Sequence, residues 1–100
     1  MGELTGVDLE VAYLQLELLR MGASRAREGL LAVVPFGELI DCERCEQIFE
    51  ALVGTLRAAK KRKVIAYEGQ MLLKGVSDNV EVQLLTPPPE GLEPAVITQQ

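Results

Sequence analysis

Apolar residues recur at helical spacing near the start of the chain, along two lines at once. At about 100° per residue, Val11, Leu14, Leu18 and Met21 form one stripe of a helix, while Leu9, Ala12, Tyr13, Leu16 and Leu19 form a second. The helix is expected to start near Thr5, with Asp8 as a capping-box partner, and to stop at Gly22 in the role of a C′ glycine. A helix wet on one side needs a single stripe, so the second one predicts a cover. Two covers are available. The tail can fold back and lay Leu92, Val96 and Ile97 along the stripe, or two copies can pair their first helices about a two-fold axis. The tail has few anchors and would lose entropy on docking, which favours self-association through Leu9, Ala12, Tyr13, Leu16 and Leu19 as a homodimer.

Leu30 to Val34 is a short apolar run with β-branched residues at its end, and reads as a strand stopped by Pro35. Pro35 also suits the entry to a short helix, Phe36 to Ile40. Asp41 is then the expected N-cap of a long helix, in which Cys45, Ile48, Phe49, Leu52, Val53, Leu56 and Ala59 share one face. Val64 to Tyr67 reads as a strand, followed by turns at Glu68-Gly69 and Ser77-Asp78-Asn79, and Val80, Val82 and Leu84 alternate as a half-buried strand. The long helix should pack against Leu14, Leu18, Val64, Val82 and Leu84. Thr86-Pro87-Pro88-Pro89 cannot join a central strand, and Glu90 to Gln100 has no period. The pattern divides the chain into a domain at 1–85 and a Pro-rich C-terminal tail at 86–100, expected to be flexible. The fold class is α+β and winged-helix-like: three helices with a short strand and a C-terminal β-hairpin.

Composition narrows the class. With 100 residues, 48% of them apolar, the chain can bury one modest core, and only Tyr13, Phe36, Phe49 and Tyr67 are aromatic. No apolar run approaches the roughly 20 residues that a membrane-spanning helix needs. Met1 to Glu10 carries acids and no base, unlike a secretory signal, and with two cysteines the expected home is a reducing cytoplasm.

The net charge of −5 hides a local excess, because half of the ten basic residues are Arg57, Lys60, Lys61, Arg62 and Lys63. In the bland reading they complement the dipole of a helix whose start carries Glu43, Glu46 and Glu50. In the functional reading they form an electrostatic docking patch on an otherwise acidic protein. A winged helix with such a patch invites nucleic-acid binding as the alternative, but the same three glutamates would meet phosphate with repulsion.

Catalytic chemistry has little to work with. The chain has no His, and its glycines form neither a GxGxxG nor a P-loop. Asp41 with Glu43, and Glu46 with Glu50, fall on the solvent side of a helix. Cys42-Glu43-Arg44-Cys45 is a CxxC, but structural zinc wants four ligands and no other Cys or His exists. Cys45 belongs to the core face and Cys42 to the first turn of the helix, so both read as structural rather than redox-active or metal-bridging between subunits. The residues thus predict binding rather than catalysis, with no metal and no cofactor.

The run from Ile48 to Val64, Ile-Phe-Glu-Ala-Leu-Val-Gly-Thr-Leu-Arg-Ala-Ala-Lys-Lys-Arg-Lys-Val, closely resembles the Costars family. The similarity continues through Tyr67-Glu68-Gly69, Leu72-Leu73, Gly75-Val76, Asp78 and Val80 to Leu85, and starts more weakly at Val11, Leu14, Leu18, Arg20, Gly22 and Phe36-Gly37. That family comprises small cytosolic proteins and the C-terminal actin-binding domain of the striated-muscle activator of Rho signalling. The resemblance implies a winged-helix-like fold, a cytoskeletal association, and non-enzymatic regulation of actin dynamics by binding actin or working alongside cofilin, without a cofactor. Leu16 and Leu19 are apolar where the family carries polar residues, and the Pro-rich tail runs past its usual end.

Overall fold

A computed structural model describes residues 6–95. Helix α1 (Gly6–Gly22) leads through a 3₁₀ turn (Ala23–Arg25) to strand β1 (Ala32–Pro35). Helices α2 (Phe36–Ile40), α3 (Glu43–Ile48) and α4 (Leu52–Lys61) follow, then strands β2 (Ile65–Ala66) and β3 (Glu81–Leu84). The strands form one antiparallel sheet in the order β1-β3-β2, with Val34 opposite Val82 and both Ala32 and Ile65 opposite Leu84. The α+β class and the late pairing of β2 with β3 therefore match the hydrophobic pattern.

The first stripe of α1 makes the core. Val11, Leu14 and Leu18 are buried with Val34, Phe36, Leu39, Leu56, Ile65, Val82 and Leu84. Met21, the last of that stripe, packs half-buried at the edge. The start expected near Thr5 lies outside the described residues. Gly22 is not a left-handed cap, since its φ is −126°. It is glycine because β1 passes too close: an added Cβ would stand 2.4 Å from the Val33 carbonyl oxygen and 2.6 Å from Val34 Cγ2.

The expected long helix is two helices, which makes four α-helices among the described residues rather than three. Phe49 leaves the helical path with φ −107° and ψ 123°, and its ring is buried there. Ala51, at φ −141°, starts the second segment. Cys45, Phe49 and Leu56 are buried in one core across this break, so tertiary packing overrides the helix-forming Glu50 and Ala51. As a result Ile48, Leu52, Val53 and Val64 are half-buried while Cys45, Phe49, Leu56 and Ala59 are buried. Asp41 does not cap α3. It closes α2, its N–H donating to the Gly37 carbonyl, and Cys42 is the N-cap of α3.

Helix α4 ends in a Schellman arrangement: Lys63 N–H donates to the Lys60 carbonyl and Val64 N–H to that of Ala59. The left-handed residue at its centre is Lys63, with φ +63°. Glycine is the usual occupant of such a position, so a basic side chain is held here in a conformation that L-residues rarely adopt.

Candidate functional site

The basic cluster divides on folding. Lys60 is tethered: its Nζ donates to the Gly69 carbonyl at 2.6 Å and lies 4.2 Å from the centre of the Tyr67 ring. Arg62 is paired with Asp8 of α1. Arg57, Lys61 and Lys63 are exposed, and among the described residues their side chains make no ion pair or hydrogen bond. Three of the five basic residues therefore face solvent unpaired along the last turns of α4 and its cap.

Lys60 fastens α4 to the segment between β2 and β3, which presents apolar side chains outward. Met71 is 69% exposed, Leu73 48% and Val76 79%. The segment is internally bonded rather than loose. Ser77 Oγ accepts from Leu73 N–H at 3.0 Å, Asp78 Oδ1 accepts from Gly75 N–H at 2.8 Å, and the Asp78 carbonyl accepts from Gly37 N–H at 2.9 Å. Gly75 has φ +86°, which this tight turn requires. Two adjoining depressions share Arg57 and Gln70: one of ≈ 370 Å³ is bordered by Lys60, Lys61 and Tyr67, the other of ≈ 330 Å³ by Val53, Met71 and Leu73. Charge and apolar area thus lie side by side on a braced surface. Burial pushes the Tyr67 hydroxyl above its ordinary range, and the charge of Arg57 acts in the opposite sense.

The expected acidic pairs, Asp41 with Glu43 and Glu46 with Glu50, are exposed. What the sequence did not reveal is a buried carboxylate. Glu17 is 2% exposed; its Oε1 accepts from Arg20 Nε at 2.9 Å and its Oε2 from Arg44 Nε at 3.0 Å. Its hydrogen bond is the main reason why the Arg20 guanidinium holds its proton more tightly than usual. The only sequence signal was the spacing of three between Glu17 and Arg20.

In the second stripe of α1, Ala12 is buried and Leu9, Tyr13, Leu16 and Leu19 are half-buried. The described part of the tail runs past this helix. Gln15 Nε2 donates to the Thr86 and Pro87 carbonyls at 3.0 and 3.2 Å, and Arg44 Nη2 donates to the Ala95 carbonyl at 2.8 Å. Pro94 borders a depression with Leu16 and Leu19, and Leu92 is half-buried. Val96 and Ile97, the other two residues suggested as a cover, lie outside the described residues. No described helix is long and apolar enough to cross a membrane, and the described residues contain no group of three or more potential metal ligands.

The fold and this surface define a small α+β domain with a basic helix end braced against an apolar loop. The Costars family profile matches residues 6–85, and the chain belongs to that family. A Costars family protein of Picea sitchensis is 53% identical over 87 residues, covering 87% of this chain and 90% of its own. The Costars family protein ABRACL of Xenopus tropicalis is 52% identical over 79 residues, covering 79% of this chain and 95% of its own. The solution structure of human HSPC280 protein superposes with a TM-score of 0.71 at 45% identity, covering 82% of this chain and 94% of that one. None of these names carries an enzymatic activity.

Proposed function

We propose that this chain is a non-enzymatic regulator of actin filament dynamics in the cytoplasm, acting on the cytoskeleton by binding filaments or by promoting the action of cofilin. Family membership supports this reading. The observation that carries it is the row of unpaired Arg57, Lys61 and Lys63 beside the exposed Met71 and Leu73, on a chain whose net charge is −5. An actin surface is acidic overall, so the basic row steers encounter while the apolar loop supplies contact area that water would otherwise cover. In this reading the scaffold is winged-helix-like, and the segment between β2 and β3 is the wing.

The test is co-sedimentation of the full chain with actin filaments, with and without cofilin, across a salt series. The chain is expected to pellet with filaments, or to increase cofilin-driven disassembly, with an effect that weakens as salt rises. An unrelated oligonucleotide should not compete. Absence of both pelleting and any effect on cofilin would overturn the proposal, and competition by the oligonucleotide would point to nucleic acid instead.

A further inference from the structure

We propose that Cys42 and Cys45 form a thiol–disulfide exchange site, in which Cys42 attacks a small disulfide of the glutathione type and Cys45 resolves the product. The two cysteines have unlike environments. Cys42, at the N-cap of α3, is half-buried and lines an open cleft of ≈ 670 Å³. Two donors point at its sulfur: Cys45 N–H at 3.3 Å and Arg20 Nη2 at 3.7 Å. That arrangement suits a sulfur that carries negative charge during attack. Cys45 lies beneath it, fully buried. Burial, and then its hydrogen bond with Cys42, push the Cys45 thiol far above the ordinary range. Cys45 is therefore the protonated partner of the pair, placed to resolve a mixed disulfide on Cys42.

The cleft also fits the class of substrate. Arg20, anchored by Glu17, lines it with a guanidinium for a carboxylate of a glutathione-type disulfide. Of the cleft's own carboxylates, Glu38 is held by Arg25 and Asp78 Oδ1 by Gly75 N–H, which leaves Asp41 for an ammonium group. In the first step the Cys42 thiolate attacks one sulfur of RS–SR. The RS–SR bond breaks, a bond between Cys42 and RS forms, and RS⁻ leaves and takes a proton from water. The Cys45 sulfur then attacks that of Cys42, the bond between Cys42 and RS breaks, and the Cys45 proton goes to the departing sulfur, so that the second group leaves as RSH. Two protein thiols are oxidised to one disulfide, and RS–SR is reduced to two RSH. Neither actin nor the basic row on α4 enters this step, so the site stands apart from the proposed function.

The full chain is incubated with glutathione disulfide, quenched with acid and weighed intact by mass spectrometry. The unsubstituted chain is expected to lose two hydrogens with little adduct. Cys45→Ala should hold one glutathionyl group on Cys42, and Cys42→Ser should take up none. Arg20→Gln should slow the first step about tenfold, the worth of one charge-assisted hydrogen bond. The proposal is overturned if the unsubstituted chain stays a dithiol under excess disulfide, if it stops at a stable mixed disulfide, or if Cys42→Ser reacts as fast as the unsubstituted chain. Those two proteins decide the matter even where Cys45→Ala fails to fold.

Discussion

Two of the glycines in the helices of this fold, Gly22 and Gly54, should respond to alanine with opposite sign. At Gly22 a Cβ would stand 2.4 Å from the Val33 carbonyl oxygen, whereas ordinary contact begins near 3.4 Å. Gly22→Ala therefore requires β1 to retreat from α1 by about 1 Å. Two of the three nearest atoms, the Val33 carbonyl oxygen and carbon, are backbone and cannot rotate aside. They belong to a strand whose Ala32, Val33 and Val34 are buried and whose other edge is paired to β3. Overpacking of this kind costs about 1–3 kcal/mol or more, and alanine's helical preference offsets at most about 1 kcal/mol. A net loss of about 2 kcal/mol is expected, a large share of a small domain's stability. At Gly54, inside α4, the nearest atom to an added Cβ is Ala51 Cβ at 3.8 Å, an ordinary contact. Gly54→Ala should gain about 0.5–1 kcal/mol by restricting the unfolded chain. Urea titrations followed by circular dichroism read both, as midpoint shifts at constant slope. A Gly22→Ala variant within about 0.5 kcal/mol of the unsubstituted chain would refute the close-approach argument.

Lys63→Gly should stabilise the fold by about 0.5–1 kcal/mol, because glycine adopts φ +63° without strain; a loss in the same titration would show that Lys63 contributes contacts beyond its conformation. Tyr67 should ionise above the ordinary tyrosine range when followed by ultraviolet absorbance, because burial favours its neutral form. Its folded value is raised, so its contribution to stability is full below about pH 10 and falls as pH rises towards that value; Tyr67→Phe should remove this part of the alkaline loss, and an unchanged alkaline profile would contradict it. A chain ending at Thr86 lacks the Pro87 and Ala95 carbonyls that Gln15 and Arg44 bind. It should self-associate through Leu16 and Leu19 in sedimentation velocity while the full chain stays monomeric, whereas a full chain that is already dimeric would favour pairing of α1 helices over cover by the tail.

Much of the fold was legible because period and punctuation agree. Pro35 marks the junction of β1 and α2, and Leu14, Leu18 and Leu56 fall where helical spacing puts the core. The break between α3 and α4 was not legible. Residues 48, 49, 52, 53 and 56 keep helical spacing straight across it, with no proline and with good helix formers at the bend; the gain from burying Phe49 is a tertiary term that local pattern does not carry. Gly22 was read as a cap because a nearby strand leaves no mark in its own helix. The basic cluster stood out in the sequence, but only the fold separates Lys60 and Arg62, which are tethered, from Arg57, Lys61 and Lys63. Met71, Leu73 and Val76 were invisible as surface, since apolar side chains read by default as core. Glu17 was hidden for the converse reason: a carboxylate on a helix reads as solvated until its two arginine partners are placed.

The most direct measurement is co-sedimentation of a charge-reversed chain, Arg57→Glu, Lys61→Glu and Lys63→Glu, with actin filaments across a salt series, cofilin present and absent. Lys60 and Arg62 are left intact because they brace Gly69 and Asp8. With its thermal melt confirming the fold, the variant is expected to lose about tenfold in affinity, or in its effect on cofilin, and most of its salt dependence. A folded variant with unchanged affinity and unchanged salt dependence would contradict the account and reduce the basic row to a complement of the helix dipole.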